Sequence, residues 1–325
     1  MADPREIYDL LLDSVDTTAM VEEVLIGQVW TCCRGNNIGL AMSPDQAVRT
    51  LPWSGTLAGR TVGDLAPWVK SWNAFEATIG MAAINAGIDV ENANLRDKGV
   101  MATGPVGNLS VFEWFLPYLR NKRIAVIGRY PGIEHYQSEL DLTVIERTPA
   151  SGDLPDPACE YLLPEADWVF LTASSIINKT FPRLAELSAD ANLVLMGPSV
   201  PWLAELGEFG VDYLAGVHVE DPPALKQIVA EGGGVRIFDS AVQYRIVDLG
   251  RQQMANIESA ISTVVTERDR IKAEMDRWYS GNPSQRFPRL ARLNRLDDKL
   301  SALDTRYKRM WDARNPKSGV RPAIG

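Results

Sequence analysis

Apolar residues run through the chain in three successive rhythms. Over residues 1–118 the pattern is mixed. Pro4 to Val15 reads as a helix, with Asp3 placed to cap it and Pro4 at its first position, where a missing N–H costs nothing. Val24 to Cys33 is rich in β-branched and aromatic residues, and Arg34-Gly35-Asn36-Asn37 reads as a turn into Ile38 to Met42, which predicts a hairpin. The proline- and glycine-rich stretch from Pro44 to Gly63 leads into helical patterns at Asp64 to Ser71 and Ala74 to Ala86. The second is so uniformly small and apolar that it calls for cover on most sides.

Residues 119–250 change rhythm. Short apolar runs at Arg123 to Ile127, Leu142 to Ile145, Trp168 to Leu171, Leu193 to Met196 and Tyr213 to Val219 recur about every 20–25 residues. Strands separated by crossovers of that length predict a parallel sheet with helices on both faces, and ligands of such sheets sit beyond the carboxyl ends of the strands. Residues 251–325 form the third module. Met254, Ile257, Ile261, Val264, Ile271, Met275 and Trp278 keep a 3-4 spacing, as do Leu290, Leu293, Leu296, Leu300, Leu303, Tyr307 and Met310. Gly281-Asn282-Pro283 and Pro288 separate the two stripes, which predicts an antiparallel helical hairpin.

Composition narrows the picture. The 325 residues are 46% apolar and 23% charged, ordinary for a globular protein. No apolar run reaches the ~18 residues of a membrane span; Ile79 to Val90 is broken by Asn85 and Gly87. The first residues lack the basic-then-apolar pattern of a signal peptide, and three cysteines are too few for a disulfide scaffold, so a cytoplasmic protein is expected. The net charge of −9 is unevenly spread: residues 1–264 carry −16 and residues 265–325 carry +7. Two histidines, His135 and His218, and the lack of a C-x-x-C pair exclude a histidine-rich site and a zinc ribbon.

Candidate chemistry gathers at the predicted strand ends. Gly128-x-x-x-Gly132 is not the G-x-G-x-x-G dinucleotide fingerprint, and Pro131 removes one backbone donor. It is either an ordinary turn or a loop for a small anion or polar group. Glu146 lies where Rossmann-type sheets place a ribose-binding acid, or else pairs with Arg129 or Arg147. Thr172, Asn178, Thr180, Gly197, Pro198, Ser199 and Asp221 follow later strands; such residues either cap helices or line a ligand site. His218, with Asp221, is the best-placed candidate for a metal. From the first module Asn73, Glu76 and Asn85 face the same edge as candidates, Asn73 as a cap, Glu76 at the capping-box position, and Asn85 as a packing anchor or a lining residue. Cys32 and Cys33, adjacent on a strand, point to opposite faces and cannot share an ion. Catalytic residues are not assigned: G-x-S-x-G is absent, and two histidines leave little room for general-base work.

The phrases VIGRYPGIE, VIERTP, GDLPDPACEYLLPEADWVFLTASSIINKT, MGPSVPW, GVHVED and EGGG, with NAFEATIGMAAINA upstream, resemble a family labelled for putative heavy-metal chelation. The resemblance covers residues 8–245 and includes Glu146; the basic hairpin lies outside it. It implies an α/β protein: an N-terminal α+β domain like that of enolase, then a Rossmann-like parallel-sheet domain, with the site between them. The function expected is binding of a small polar or metal-containing ligand in that interdomain cleft, with a role in transition-metal or metal-cofactor handling. Two other readings stay open: an enzyme using a nucleoside-containing cosubstrate such as S-adenosylmethionine, with Glu146 on the ribose, and a scaffold acting through the hairpin. The hairpin carries Arg286, Arg289, Arg292, Arg295, Lys299, Arg306, Lys308 and Arg309 without a stacking platform or reading helix. It points to a homo-oligomer, docked by the seam Leu290 to Met310 on an acidic body, rather than to specific nucleic-acid recognition or a membrane.

Overall fold

A computed structural model describes residues 3–88, 90–281 and 285–314. Residues 3–249 form one compact unit and residues 250–314 another. The first unit opens with α1 (Glu6–Asp13). Asp3 does not cap it at N2 or N3: its carboxylate accepts from Arg5 N and its carbonyl from Glu6 N, one step ahead of the helix. A three-stranded antiparallel meander follows, β1 (Glu23–Ile26), β2 (Trp30–Arg34) and β3 (Ile38–Met42). The run predicted as one strand from Val24 to Cys33 is therefore two. The break is at Gly27, whose N–H bonds Trp30 O and whose α-carbon is so close to Val229 that a Cβ there would lie 2.5 Å from the Val229 carbonyl.

The capped turn α2 (Val62–Leu65) and a 3-10 turn precede α3 (Ala74–Gly87). α3 is buried nearly all round, as its composition demanded, and lies against β2 and β3. Gly39 makes that approach possible: a Cβ there would sit 2.1 Å from the Ala82 carbonyl oxygen. α4 (Val90–Asp97) and the short β4 (Val100–Met101) carry the chain to α5 (Ser110–Leu119).

The large sheet comprises β4, β5 (Ile124–Ile127), β6 (Leu142–Glu146), β7 (Leu154–Pro155), β8 (Trp168–Thr172), β9 (Asn192–Met196), β10 (Tyr213–Val219) and β11 (Val242–Asp248), in the order β4-β11-β10-β9-β8-β5-β6-β7. The five predicted strands pair in parallel, each within a residue or two of its expected limits. The sheet is not wholly parallel. β11, whose Val242-x-Tyr244-x-Ile246 alternation the sequence reading passed over, runs antiparallel to β10 and carries β4 on its far side. Crossovers and edges contain α6 (Glu134–Gln137), α7 (Cys159–Leu162), α8 (Ser174–Ile177), α9 (Phe181–Leu187), α10 (Pro222–Ala230) and α11 (Ile237–Ser240). Both faces are covered, as a parallel core requires. Phe112 and Phe115 of α5 pack on Trp168, Phe170 and Tyr213, while Val169, Leu171, Leu193 and Leu195 share a core with Leu163, Phe181 and α3.

The second unit is α12 (Gly250–Gly281) and α13 (Leu290–Arg314). Val264 and Ile271 bury against Leu293, Leu296 and Phe287, flanked by pairs of Arg289 with Glu274 and Arg292 with Glu267. The seam expected to dock on another body is thus largely consumed inside the hairpin, because two amphipathic helices joined by a short connection bury each other's stripes first. Asn282 and Pro283 of the predicted connection lie outside the described residues. Among the described residues no helix is long and apolar enough to cross a membrane.

Candidate functional site at the carboxyl edge of the sheet

The strands deliver the candidate residues to one edge, where they fall into distinct groups. After β5 the chain turns at Gly128, whose φ of +96° suits glycine and whose Cβ position is 3.0 Å from Thr172 Cγ2. Glu146, at the end of β6, accepts hydrogen bonds from Arg129 N (2.9 Å) and Arg147 N (2.7 Å). The expected pairing with these two arginines is real, but it runs through their backbone amides. The Arg129 guanidinium instead holds Asp153, 2.6 Å away and buried, and Glu134. Pro131 O accepts from Asn108 Nδ2 at 2.9 Å, and the space above Gly132 is closed by Leu109. The loop 128–132 is therefore braced from three sides.

The ends of β8 and β9 are different. Thr172 and Ser174 hydroxyls bond each other at 3.0 Å. Tyr130 reaches across with its ring on Phe112, and its Oη is buried with no hydrogen bond of good geometry among the described residues. Burial pushes this phenol well above its usual pKa, with the neighbouring Thr172 hydroxyl pulling the other way, so it remains a neutral donor. Gly197, at φ +112°, has room for a methyl group beside it: a Cβ there would meet nothing nearer than Tyr130 Oη at 3.8 Å. Two residues on, past the buried Pro198, Ser199 Oγ accepts from Met42 N at 2.9 Å and Ser199 O from Asn85 Nδ2 at 3.2 Å. Asn85 Nδ2 also donates to Leu40 O, and Thr78 Oγ1 donates to Met42 O. Asn85 is thus a packing anchor between α3, β3 and the 197–199 turn, yet its Oδ1 is buried without a partner among the described residues.

Other candidates are spent locally. Asn178 Oδ1 accepts from Thr180 N and Oγ1 in a closed turn before α9, although Thr180, the residue before the helix, makes no side-chain cap bond. Asn73 caps α3 through Phe75 N and Glu76 N. Glu76 Oε2 takes the Ser71 hydroxyl at 2.5 Å, which in turn accepts Asn73 N, so the capping box closes through Ser71. Asn73 and Asn85 are about 18 Å apart along α3 at 1.5 Å per residue, too far for one small ligand. Sequence reasoning missed Tyr130 and Lys179. Lys179 has φ +69°, its Nζ donates to Ile177 O, and burial lowers its pKa to about 8. A half-buried lysine leaves no spacing signature; Tyr130 lay within the quoted glycine loop.

The metal candidates do not form a cage. Asp221 Oδ1 accepts from Ala224 N as the cap of α10. His218 Nε2 and Arg245 Nη2 each lie 3.9 Å from Glu220 Oε1, and burial with Arg245 nearby lowers the histidine's pKa. Burial pushes Cys32 and Cys33 up to about 12 and Cys159 to about 11, so all three stay neutral thiols. Among the described residues no three His, Cys, Asp or Glu side chains converge as ligands. This donor set does not fit a heavy-metal ion held by the protein alone.

A parallel-dominated α/β sheet with a buried polar edge defines the class, and comparison with known proteins gives the family. A model described as putative heavy-metal chelation, DUF364, matches residues 110–248, and a second with the same description, DUF4213, matches residues 8–88. A crystal structure of a DUF364-family protein of unknown function from Desulfitobacterium hafniense is similar at 34% identity and a TM-score of 0.64, covering 75% of this chain and 98% of that one. Another DUF364-family structure, from Pyrococcus horikoshii, shares the fold at 21% identity and a TM-score of 0.60, covering 75% and 99%. An uncharacterized protein of Methanocaldococcus jannaschii is 31% identical over 160 residues, 46% of this chain and 58% of its own length. The chain belongs to the DUF364 family.

Proposed function

We propose that the chain binds a small polar or metal-containing ligand between the 197–199 turn, Tyr130 and Asn85, with a role in transition-metal or metal-cofactor handling. The observation that carries this reading is a pair of buried oxygens without a well-formed hydrogen bond among the described residues, Tyr130 Oη beside Gly197 and Asn85 Oδ1 on the side chain that holds Ser199 O. Buried polar groups are nearly always paired, and leaving one unmade costs about 1–3 kcal/mol, which a ligand group returns. Tyr130 and the Thr172 and Ser174 hydroxyls are neutral, which suits a polar molecule that brings any metal with it rather than a bare ion. The family description is consistent with metal handling in this sense. A homo-oligomer through the basic hairpin belongs to the same reading, supported by its +7 charge against −16 over residues 1–264.

The test is native mass spectrometry with elemental analysis on the untagged chain purified from its own cells, beside Tyr130→Phe. A stoichiometric small-molecule adduct, with or without metal, that Tyr130→Phe loses is the expected result; the same spectra report the oligomer. An adduct that Tyr130→Phe and Gly197→Ala both retain overturns the assignment of this edge.

A further inference from the structure

The meander has two faces. α3 covers the one bearing Gly39, and the alternate residues Glu23, Leu25, Cys32, Arg34 and Ile38 point the other way. Opposite them stands the first turn of α10, with Pro222, Pro223, Leu225 and Lys226, and a cavity of 240 Å³ lies between the two. None of the candidate residues at the carboxyl edge of the large sheet lines it.

Its chemistry is selective. α10 starts with two prolines, which have no N–H; Ala224 N is taken by Asp221 Oδ1 and Leu225 N by Asp221 O. The helix start therefore presents no free amide to an anion, unlike a phosphate-binding terminus. Leu25, Ile38, Leu225 and the proline rings supply its apolar lining, and Cys32 adds an uncharged thiol. The charged lining residues are Glu23, Arg34 and Lys226. Lys226 Nζ lies 2.6 Å from Glu23 Oε1, and Arg34 Nη2 lies 2.9 Å from Glu22 Oε2. Both cations line the cavity, but Glu22 does not, so the lining holds one more positive than negative charge. With Arg34 55% and Lys226 60% exposed, these pairs are weak and free to re-pair with a ligand.

We propose that this cavity binds a small amphipathic carboxylate, its apolar body on Leu25, Ile38, Leu225 and the prolines and its carboxylate on Lys226 and Arg34. An apolar cavity of about 150 Å³ accepts benzene, so the space here holds a ring or short chain together with a carboxylate. The site is independent of the strand-end reading.

The experiment is titration of the full chain with 8-anilinonaphthalene-1-sulfonate, a fluorescent aromatic anion, followed by competition with octanoate. One probe site per chain, emptied by octanoate, is expected. Lys226→Glu reverses charge at an exposed position, so octanoate affinity falls about ten-fold or more while the unfolding midpoint holds; Lys226→Arg keeps the affinity. Cys32→Phe fills the cavity and removes binding. No octanoate binding by the wild-type chain, or binding that survives both Lys226→Glu and Cys32→Phe, overturns the proposal. Tyr130→Phe leaves octanoate binding unchanged, which separates the failure of this site from that of the other.

Discussion

The two ends of the sheet's carboxyl edge start from similar turns and finish differently. At β5 and β6 a positive-φ glycine, Gly128, opens a loop braced within the chain, Glu146 with two amides, Pro131 O with Asn108, Arg129 with Asp153 and Glu134, while its Tyr130 side chain reaches across to the other end. At β8 and β9 a positive-φ glycine, Gly197, opens a turn beside the buried oxygen of Tyr130, and Asn85, bonded to the same turn, carries another; neither finds a well-formed partner among the described residues. The first end is a finished structure and the second is an incomplete one. A conspicuous acid at a strand end is not thereby a ligand group; what its oxygens already hold decides. The residues most open to a ligand are the ones the chain leaves unsatisfied.

Substitutions sharpen this contrast, the largest effect being at the finished end. Gly128→Ala meets both a forbidden φ and Thr172 at 3.0 Å, and a loss of about 3 kcal/mol in urea unfolding is expected. Gly197→Ala has the φ strain without the clash, so it loses about 1–2 kcal/mol and blocks the space beside Tyr130. Equal losses at the two glycines would break the distinction. Glu146→Gln keeps the shape but weakens the charge-assisted bonds to two amides, costing about 2 kcal/mol. Unchanged stability there, with lost ligand binding, would return Glu146 to the ligand and revive the nucleoside reading.

A pH series tests Lys179. Its folded pKa of about 8 lies below the usual 10.5 because burial disfavours the ammonium. Between those values the unfolded chain binds more protons, so this group's contribution to stability rises with pH across the window, and its penalty is fully present below it. In Lys179→Met that rise is absent; unfolding free energies for variant and wild type at both ends of the window give the difference, and an identical slope contradicts the burial. Tyr130→Phe is the one substitution expected to cost nothing. Removing a buried hydroxyl with no well-formed bond among the described residues leaves stability unchanged or raises it by about 1 kcal/mol, measured in the same unfolding assay. A loss near 2 kcal/mol would mean that Tyr130 Oη is paired and the second end is finished too.

Much of the fold was legible along the chain because it is written at short range. Five parallel strands declared themselves by apolar runs between crossovers, the hairpin by two stripes, and α3 by its almost entirely apolar composition under an Asn73 cap. Cys32 and Cys33 had to diverge on a strand, and Cys33 is buried while Cys32 faces the cavity. Short-range pattern failed where distant backbone intervened. Between Val24 and Cys33 only Gly27 marks a break, and the contact that makes it one, with Val229, lies some two hundred residues away.

The sequence by itself determined which residues reach the carboxyl edge, since strand limits and helix caps follow from local periodicity and turn chemistry. Only the tertiary structure decided what each does there. Glu146 meets the amide of a residue 17 positions earlier, Ser199 meets Met42 from 157 positions away, and Tyr130 Oη finds no well-formed partner among the described residues. Hydrogen bonding depends on separations of about 3 Å, and those are fixed by how layers pack rather than by the order of residues in the chain.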